Sequence, residues 1–205
     1  MKHSLCLALI LLLTVSYAQA AETPAVVELK ELKGGVCFAA FSPDGKKVLT
    51  TNDDNTIRIW DAHSGKEVKK LELPTEIGMP AIFSPDGKKI VTILDDGTAR
   101  ILDAESGKEL VKFDLPPDFV DFVMPVVFSS DGKKILSPGN NHTFLIRDAE
   151  SGKELKKLEG HTGETIAFFS PDGKKIVTAS SDKTVRIWDW ERYVPPPDRP
   201  AITDF

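Results

Sequence analysis

Apolar residues in this 205-residue chain follow two regimes. Near the N-terminus they form one run of eleven, Leu5 to Val15. From about residue 26 to residue 190 they come in short groups, alternating with polar residues and separated by turn-forming clusters. The stretch Phe38-Ala39-Ala40-Phe41 leads into Ser42-Pro43-Asp44-Gly45. There proline presets the backbone of the second turn position and glycine supplies a positive φ. Val48-Leu49-Thr50-Thr51 returns, Asp53-Asp54-Asn55 turns again, and Thr56-Ile57-Arg58-Ile59-Trp60 alternates as a half-buried strand does. After Ser64-Gly65, the segment from Glu67 to Leu73 again carries its apolar residues at alternate positions. The pattern predicts four short antiparallel strands joined by tight turns.

This unit recurs. FSPDGKK occurs at 41–47, 83–89 and 169–175, with FSSDGKK at 128–134, and its aspartates, Asp44, Asp86, Asp131 and Asp172, are 42, 45 and 41 residues apart. A second marker ends 17 residues after each: IWD at Asp61, ILD at Asp103, IRD at Asp148, IWD at Asp189. A third, SGKE, appears at 64–67, 106–109 and 151–154. A unit of this size cannot bury enough apolar surface alone, so the copies must pack on one another. Four-stranded sheets packed face to face around an axis form a propeller.

A period near 42, a Phe-Ser-Pro-Asp-Gly turn and a strand ending in Trp-Asp resemble WD40 repeats, and the resemblance spans residues 26–190. It implies an all-β fold: a WD40-like β-propeller with four four-stranded blades in the chain. It also implies a buried hydrogen-bonded tetrad, which only the last repeat matches in full: Gly160-His161, Asp182 and Trp188, with Thr178 or Ser180 between. The first repeat has Asp54 and Trp60 but Gly34-Gly35 in place of Gly-His. Repeats two and three have Leu102 and Ile146 at the tryptophan position and no Gly-His, so packing is expected to hold them more than polar contacts. The family generally supplies rigid binding surfaces, so a protein or peptide partner is implied.

The strand inventory bears on closure. The last repeat runs from Asp189-Trp190 into Val194-Pro195-Pro196-Pro197, which cannot donate ladder hydrogen bonds, so its fourth strand is expected to be missing. The segment from Val26 to Lys33 resembles Glu154-Leu155-Lys156-Lys157-Leu158, the fourth strand of repeat three, and would complete that last blade. Three arrangements satisfy this: a closed four-bladed ring, a homodimer that exchanges N-terminal strands to make eight blades, or an open arc.

Composition narrows the chemistry. With 26 Lys plus Arg against 31 Asp plus Glu, the formal charge is -5, and there is no basic excess for a nucleic-acid partner. Cys6 and Cys37 cannot form a disulfide framework, and Cys37 is expected to be an inert thiol near the core. No nucleophile elbow, phosphate loop, dinucleotide fingerprint or HExxH motif is found, so no catalytic residue, cofactor or metal ligand is assigned. His63, His142 and His161 fall in separate loops. Asp53-Asp54 and Asp95-Asp96 form carboxylate pairs in equivalent turns, where aspartate also serves to bond local backbone. The alternative to a scaffold is an enzyme or small-ligand or metal binder using the central channel, with Asp54, Asp96 and His142 as contributors. A third reading is a truncated propeller fragment without independent activity. The lysine pairs after each Asp-Gly turn, such as Lys46-Lys47, fit solvated hairpin edges that oppose aggregation.

From the Asp-Gly turn to SGKE the spacing is constant, so length variation is confined to the fourth strand and the loop after it. The longest copy contains Leu115-Pro116-Pro117-Asp118-Phe119-Val120-Asp121-Phe122. Insertions on one face of a repeat protein often mark its binding face, which makes Asp118, Phe119, Asp121 and Phe122 the candidate partner-binding residues. Residues 191–205 form a proline-rich C-terminal tail.

The N-terminal run completes the organisation. Lys2, an apolar run eleven positions long and Ala18-Gln19-Ala20 match a signal peptide of residues 1–20. The run gives a helix of about 16 Å, short of a bilayer core of roughly 30 Å. Cleavage removes one lysine, taking the charge from -5 to -6, and leaves an exported protein, periplasmic or secreted, without a membrane anchor. Intact-mass analysis of the chain from an exporting host should therefore find Ala21 at its N-terminus; a product retaining Met1 to Ala20 would refute cleavage.

Overall fold

A computed structural model describes Leu29 and residues 35–77, 80–117 and 126–194. Their regular structure is β-strand, arranged as four antiparallel sheets in chain order. Blade 1 comprises β1 (Val36–Phe41), β2 (Lys47–Asn52), β3 (Thr56–Asp61) and β4 (Glu67–Glu72). Blade 2 comprises β5 (Ile82–Phe83), β6 (Lys89–Ile93), β7 (Thr98–Asp103) and β8 (Glu109–Asp114). In blade 3 the strands are β9 (Val127–Phe128), β10 (Lys134–Pro138), β11 (Phe144–Asp148) and β12 (Glu154–Leu158). Among the described residues blade 4 has three: β13 (Thr165–Phe169), β14 (Ile176–Ser180) and β15 (Val185–Trp188). Every neighbouring pair is antiparallel, as short hairpins require.

Alternation assigns each side chain to one of two faces. In blade 1, Leu49, Ile57, Ile59 and Leu71 form the forward face, packed on Ala81, Phe83, Ile90, Leu102 and Ala104 of blade 2. Blade 2 offers Val91, Ile93, Ala99, Ile101, Val111 and Phe113 to Val126, Ile135 and Ala149 of blade 3. Blade 3 presents Leu136, Phe144, Ile146 and Leu158 to Ala167, Ile176, Trp188 and Trp190 of blade 4. One junction is thus built three times: aliphatic residues of the second, third and fourth strands meet the backward face of the next blade. Cys37 departs from its expected burial. It is exposed, next to a register slip between Val36 and Phe38 and at alternate positions with Ala39 and Phe41, which are exposed as well.

The recurrent turns serve these sheets. In each Asp-Gly hairpin a serine hydroxyl donates to the aspartate, which accepts the amide two residues on: Ser42 Oγ to Asp44 Oδ1 is 2.6 Å and Lys46 N to Asp44 Oδ1 is 3.0 Å. Asp86, Asp131 and Asp172 repeat both bonds. The aspartate ending the third strand caps the next turn, Ser64 N and Oγ both lying 2.7 Å from Asp61 Oδ1. The SGKE turn also touches the preceding blade. Gly107 has φ +77°, and a Cβ there would lie 2.6 Å from Leu71 Cδ2 of β4; at Gly152 it would lie 2.8 Å from Val111 Cγ1 of β8. The glycine of SGKE is needed both for backbone sign and for close approach between blades.

Gly45, with φ +69°, has open space where its Cβ would be. Replacing either glycine by alanine carries the same backbone cost of about 1 kcal/mol. The Gly107→Ala change should cost about 1–3 kcal/mol more, the scale of overpacking. Denaturant melts of the two variants measure the difference; equal losses would show that the SGKE turn does not set blade spacing.

Candidate functional site

Blade 4 assembles the residues that resemblance assigned to the tetrad. His161 Nδ1 is 2.7 Å from Asp182 Oδ2, and its Nε2 is 2.7 Å from Thr178 Oγ1, which also receives Trp188 Nε1 at 2.8 Å. One proton arrangement satisfies all three contacts: tryptophan N–H to threonine, threonine O–H to Nε2, Nδ1–H to carboxylate. Asp182 Oδ1 accepts Thr184 N and Oγ1, and Oδ2 also accepts Thr162 N at 3.2 Å. The Thr184 hydroxyl, with help from His161, holds this carboxyl far below the ordinary aspartate range, against the opposing effect of burial. Thr178, on β14, is the hydroxyl in the chain of bonds. Ser180 instead ties the loop, donating to Gly163 O and accepting Asp182 N. Gly160, at φ +131°, leaves room that Arg186 occupies, since a Cβ would lie 2.3 Å from its guanidinium.

Blade 1 solves the same problem with other groups. Trp60 Nε1 donates to Thr50 Oγ1 at 3.0 Å, the equivalent of Trp188 to Thr178. Asn52 Nδ2, 3.4 Å from Thr50 Oγ1 and 3.0 Å from Thr56 O, stands where the histidine would reach. Asp54 therefore does not bind a histidine. It accepts Thr56 Oγ1 and pairs with Arg58, whose guanidinium bridges Asp54 Oδ2 at 2.6 Å and Glu67 Oε2 at 2.8 Å. The Thr56 hydroxyl and Arg58 lower the Asp54 pKa, against the effect of burial.

Blade 2 repeats this clamp, Arg100 bridging Asp96 at 2.7 Å and Glu109 at 2.8 Å. The clamp adds a polar tie to the packing of this blade. Both clamps join the second turn to the fourth strand across the third.

Blade 3 corrects the alignment. The pairing of Ile135 with Arg147, against Val48 with Trp60 and Ile176 with Trp188, puts Arg147 at the tryptophan position in place of Ile146. Ile146 is fully buried on the forward face. Arg147 reproduces the indole's bond, Nε donating to Ser137 Oγ at 3.2 Å, and adds Nη1 to Gly152 O at 3.1 Å. Its guanidinium lies 4.8 Å from the centre of the Phe113 ring in blade 2, a cation–π contact across the junction. Burial draws its pKa down, opposed by Glu154 and Asp114.

The family model for WD domain, G-beta repeat matches residues 27–61 and 152–189. The chain carries WD40 repeats. Both matched stretches end in the tryptophan-containing copies, Trp60-Asp61 and Trp188-Asp189, while the two blades between carry Leu102 and Arg147 instead. A search of curated proteins finds no match to this chain.

In this WD40 array the remaining candidates stay apart. Asp53 accepts Gly35 N at 2.9 Å, and His142 is exposed with φ +59°. Asp118, Phe119, Asp121 and Phe122 lie outside the described residues, as do residues 26–28, 30–34 and 195–205. Reading copies singly missed the arginine clamp. Its signal is Asp-x-Thr-x-Arg at 54–58 and 96–100, visible on superposing the repeats; the same pattern at 182–186 is used differently, Asp182 taking His161 and Arg186 lying over Trp188.

Ten aspartates in these turns have pKa values below the ordinary 3.8, their first cause a neighbouring Ser or Thr hydroxyl. Because the folded values are depressed, this stabilisation is complete above the unfolded value and lost as pH falls through the folded ones. The melting temperature should stay level from pH 7 to about 5 and drop steeply below about pH 4. At neutral pH, Asp182→Asn should lower it more than Asp53→Asn, which alters the acceptor of one exposed bond. Equal shifts would show that the histidine network does not anchor blade 4.

Proposed function

We propose that this WD40-repeat chain is an exported, non-enzymatic scaffold that binds protein or peptide through loops carried by rigid blades. The observation that carries the reading is the commitment of its recurrent polar groups to the scaffold. Asp44 and Asp61 close turns, Asp54 and Asp96 are held by arginines, and His161 is buried between Asp182 and Thr178. A catalytic or metal-binding channel built on Asp54 and Asp96 would have to break those ion pairs, which makes that reading the weaker one. WD40 repeats generally mediate protein interaction, and rigid elements that position variable loops suit that task. Export rests on the N-terminal signal pattern, and the 118–122 loop is where length, two aromatics and acid accumulate. Aromatic residues of this kind are enriched at the centres of interfaces.

Affinity capture from the exporting compartment should retain a partner on the wild-type chain. Retention should fall by about tenfold or more, the scale of removing an aromatic anchor, on Phe119→Ser/Phe122→Ser with an unchanged melting profile. Equal retention by both chains would show that the aromatic pair packs the blade and that the binding surface lies elsewhere.

A further inference from the structure

The two ends of the blade array present surfaces that every internal junction buries. In blade 4, the residues equivalent to the forward faces of blades 1–3 are Ile166, Val177, Val185 and Ile187. Val185 and Ile187 are 69% and 72% exposed, whereas their counterparts Ile57 and Ile59 are 0% and 2% exposed. Val177 aligns with Leu49, Val91 and Leu136, all fully buried, yet is itself 39% exposed. Beside this face the outer edge of β15 has no strand partner among the described residues. The chain after β15 turns back over blade 3, where Lys156 Nζ donates to the carbonyls of Trp190, Glu191 and Tyr193 at 2.7, 3.1 and 2.7 Å.

Blade 1 shows the complementary surface. Phe41 is 68% exposed, while Phe83 at the same place in blade 2 is packed against blade 1. Ala39 is exposed where Ala81, Val126 and Ala167 are buried, and Ala62 is half-buried where Ala104 and Ala149 are buried. Val48 is likewise partly open, against fully buried Ile90, Ile135 and Ile176. Among these backward-face residues of blade 1, Trp60 is the one that is covered. The exposed rows at the two ends are therefore the two halves of a junction already built three times in the chain, with small and aromatic residues on one side and aliphatic residues on the other.

We infer that the forward face of blade 4 docks on the backward face of blade 1 in a second copy of the chain, and that two such head-to-tail junctions close an eight-bladed ring. The occupant is a second copy because the backward faces of the chain's own blades 2 to 4 receive, three times over, forward faces equivalent to that of blade 4, and the remaining backward face of this kind, on blade 1, stands exposed. A head-to-tail contact closes when its rotation permits and otherwise propagates; eight blades lie within the usual range of four to eight. This goes beyond the scaffold reading, since it concerns the ends of the array and not its loops.

Light scattering of the full-length chain expressed in an exporting host, across a dilution series, should give a dimer. Ile187→Lys and Phe41→Glu change exposed residues, so each should keep the wild-type circular dichroism spectrum. Each should weaken dimerisation by roughly tenfold or more, the scale set by leaving one large apolar side chain unburied at the junction. Mixing the two variants leaves one native junction per pair and should restore dimers. A monomer at all concentrations, a ladder of larger oligomers, a dimer that survives Phe41→Glu, or no restoration on mixing would each overturn the proposal. Loss of partner capture by the 118–122 variant with dimer intact, or the reverse, separates this proposal from the scaffold reading.

Discussion

A four-stranded antiparallel sheet of about forty residues has two faces to cover and no core of its own, and every other feature of this protein answers that constraint. Blades 1 to 3 each lay Leu49, Val91 or Leu136, with their third-strand neighbours, onto the next blade. The apolar area removed from water at such a junction is the main favourable term. Stability of an array of this type is then close to a sum over units and neighbour contacts. What differs between repeats is how the top of each blade is tied.

Those ties show one requirement met by unlike chemistry. Each blade ties strands and turns together through polar side chains, and where such a group is buried it is costly without a partner. Blade 4 uses imidazole between a carboxylate and a hydroxyl. Blades 1 and 2 use a guanidinium between two carboxylates. In blade 3 the guanidinium moves to the tryptophan position and faces the neighbouring blade. A planar, multiply donating cation can serve in all these places, whereas a lysine would supply a point charge without the fork.

The repeat period, strand order and turn chemistry could be read from residues alone because they are local: Ser-x-Asp-Gly and Asp-x-x-Ser determine their own hydrogen bonds within a few positions. Ile146 looks like a hydrophobic substitute for tryptophan, yet the marker IRD aligned on IWD already sets Arg147 at that position, and the pairing with Ile135 shows that it shares the face. Asp54 was assigned to a tetrad because its turn matches that of Asp182, yet the histidine's place is filled by Asn52 and the carboxylate's charge is met by Arg58. Cys37 is exposed together with Ala39 and Phe41 because blade 1 leaves that face uncovered, which no alternation pattern announces. Face identity and side-chain partner are therefore the properties that the linear pattern leaves open.

The Lys156 ammonium joins β12 to carbonyls 34 to 37 positions later. All three acceptors belong to the turn that carries Trp190 and Tyr193 away from the end of β15, and Trp188 packs edge-on against Tyr193 at 5.0 Å. This contact has a temporal meaning. Synthesis proceeds from the N-terminus, so the outer strand of blade 3 is available before its ligands exist. The closing turn cannot reach its seat until the hairpins of blades 3 and 4 have formed around it, and its loop-closure entropy is recovered only then. This turn can therefore be fastened only once β12 and β15 are both in place.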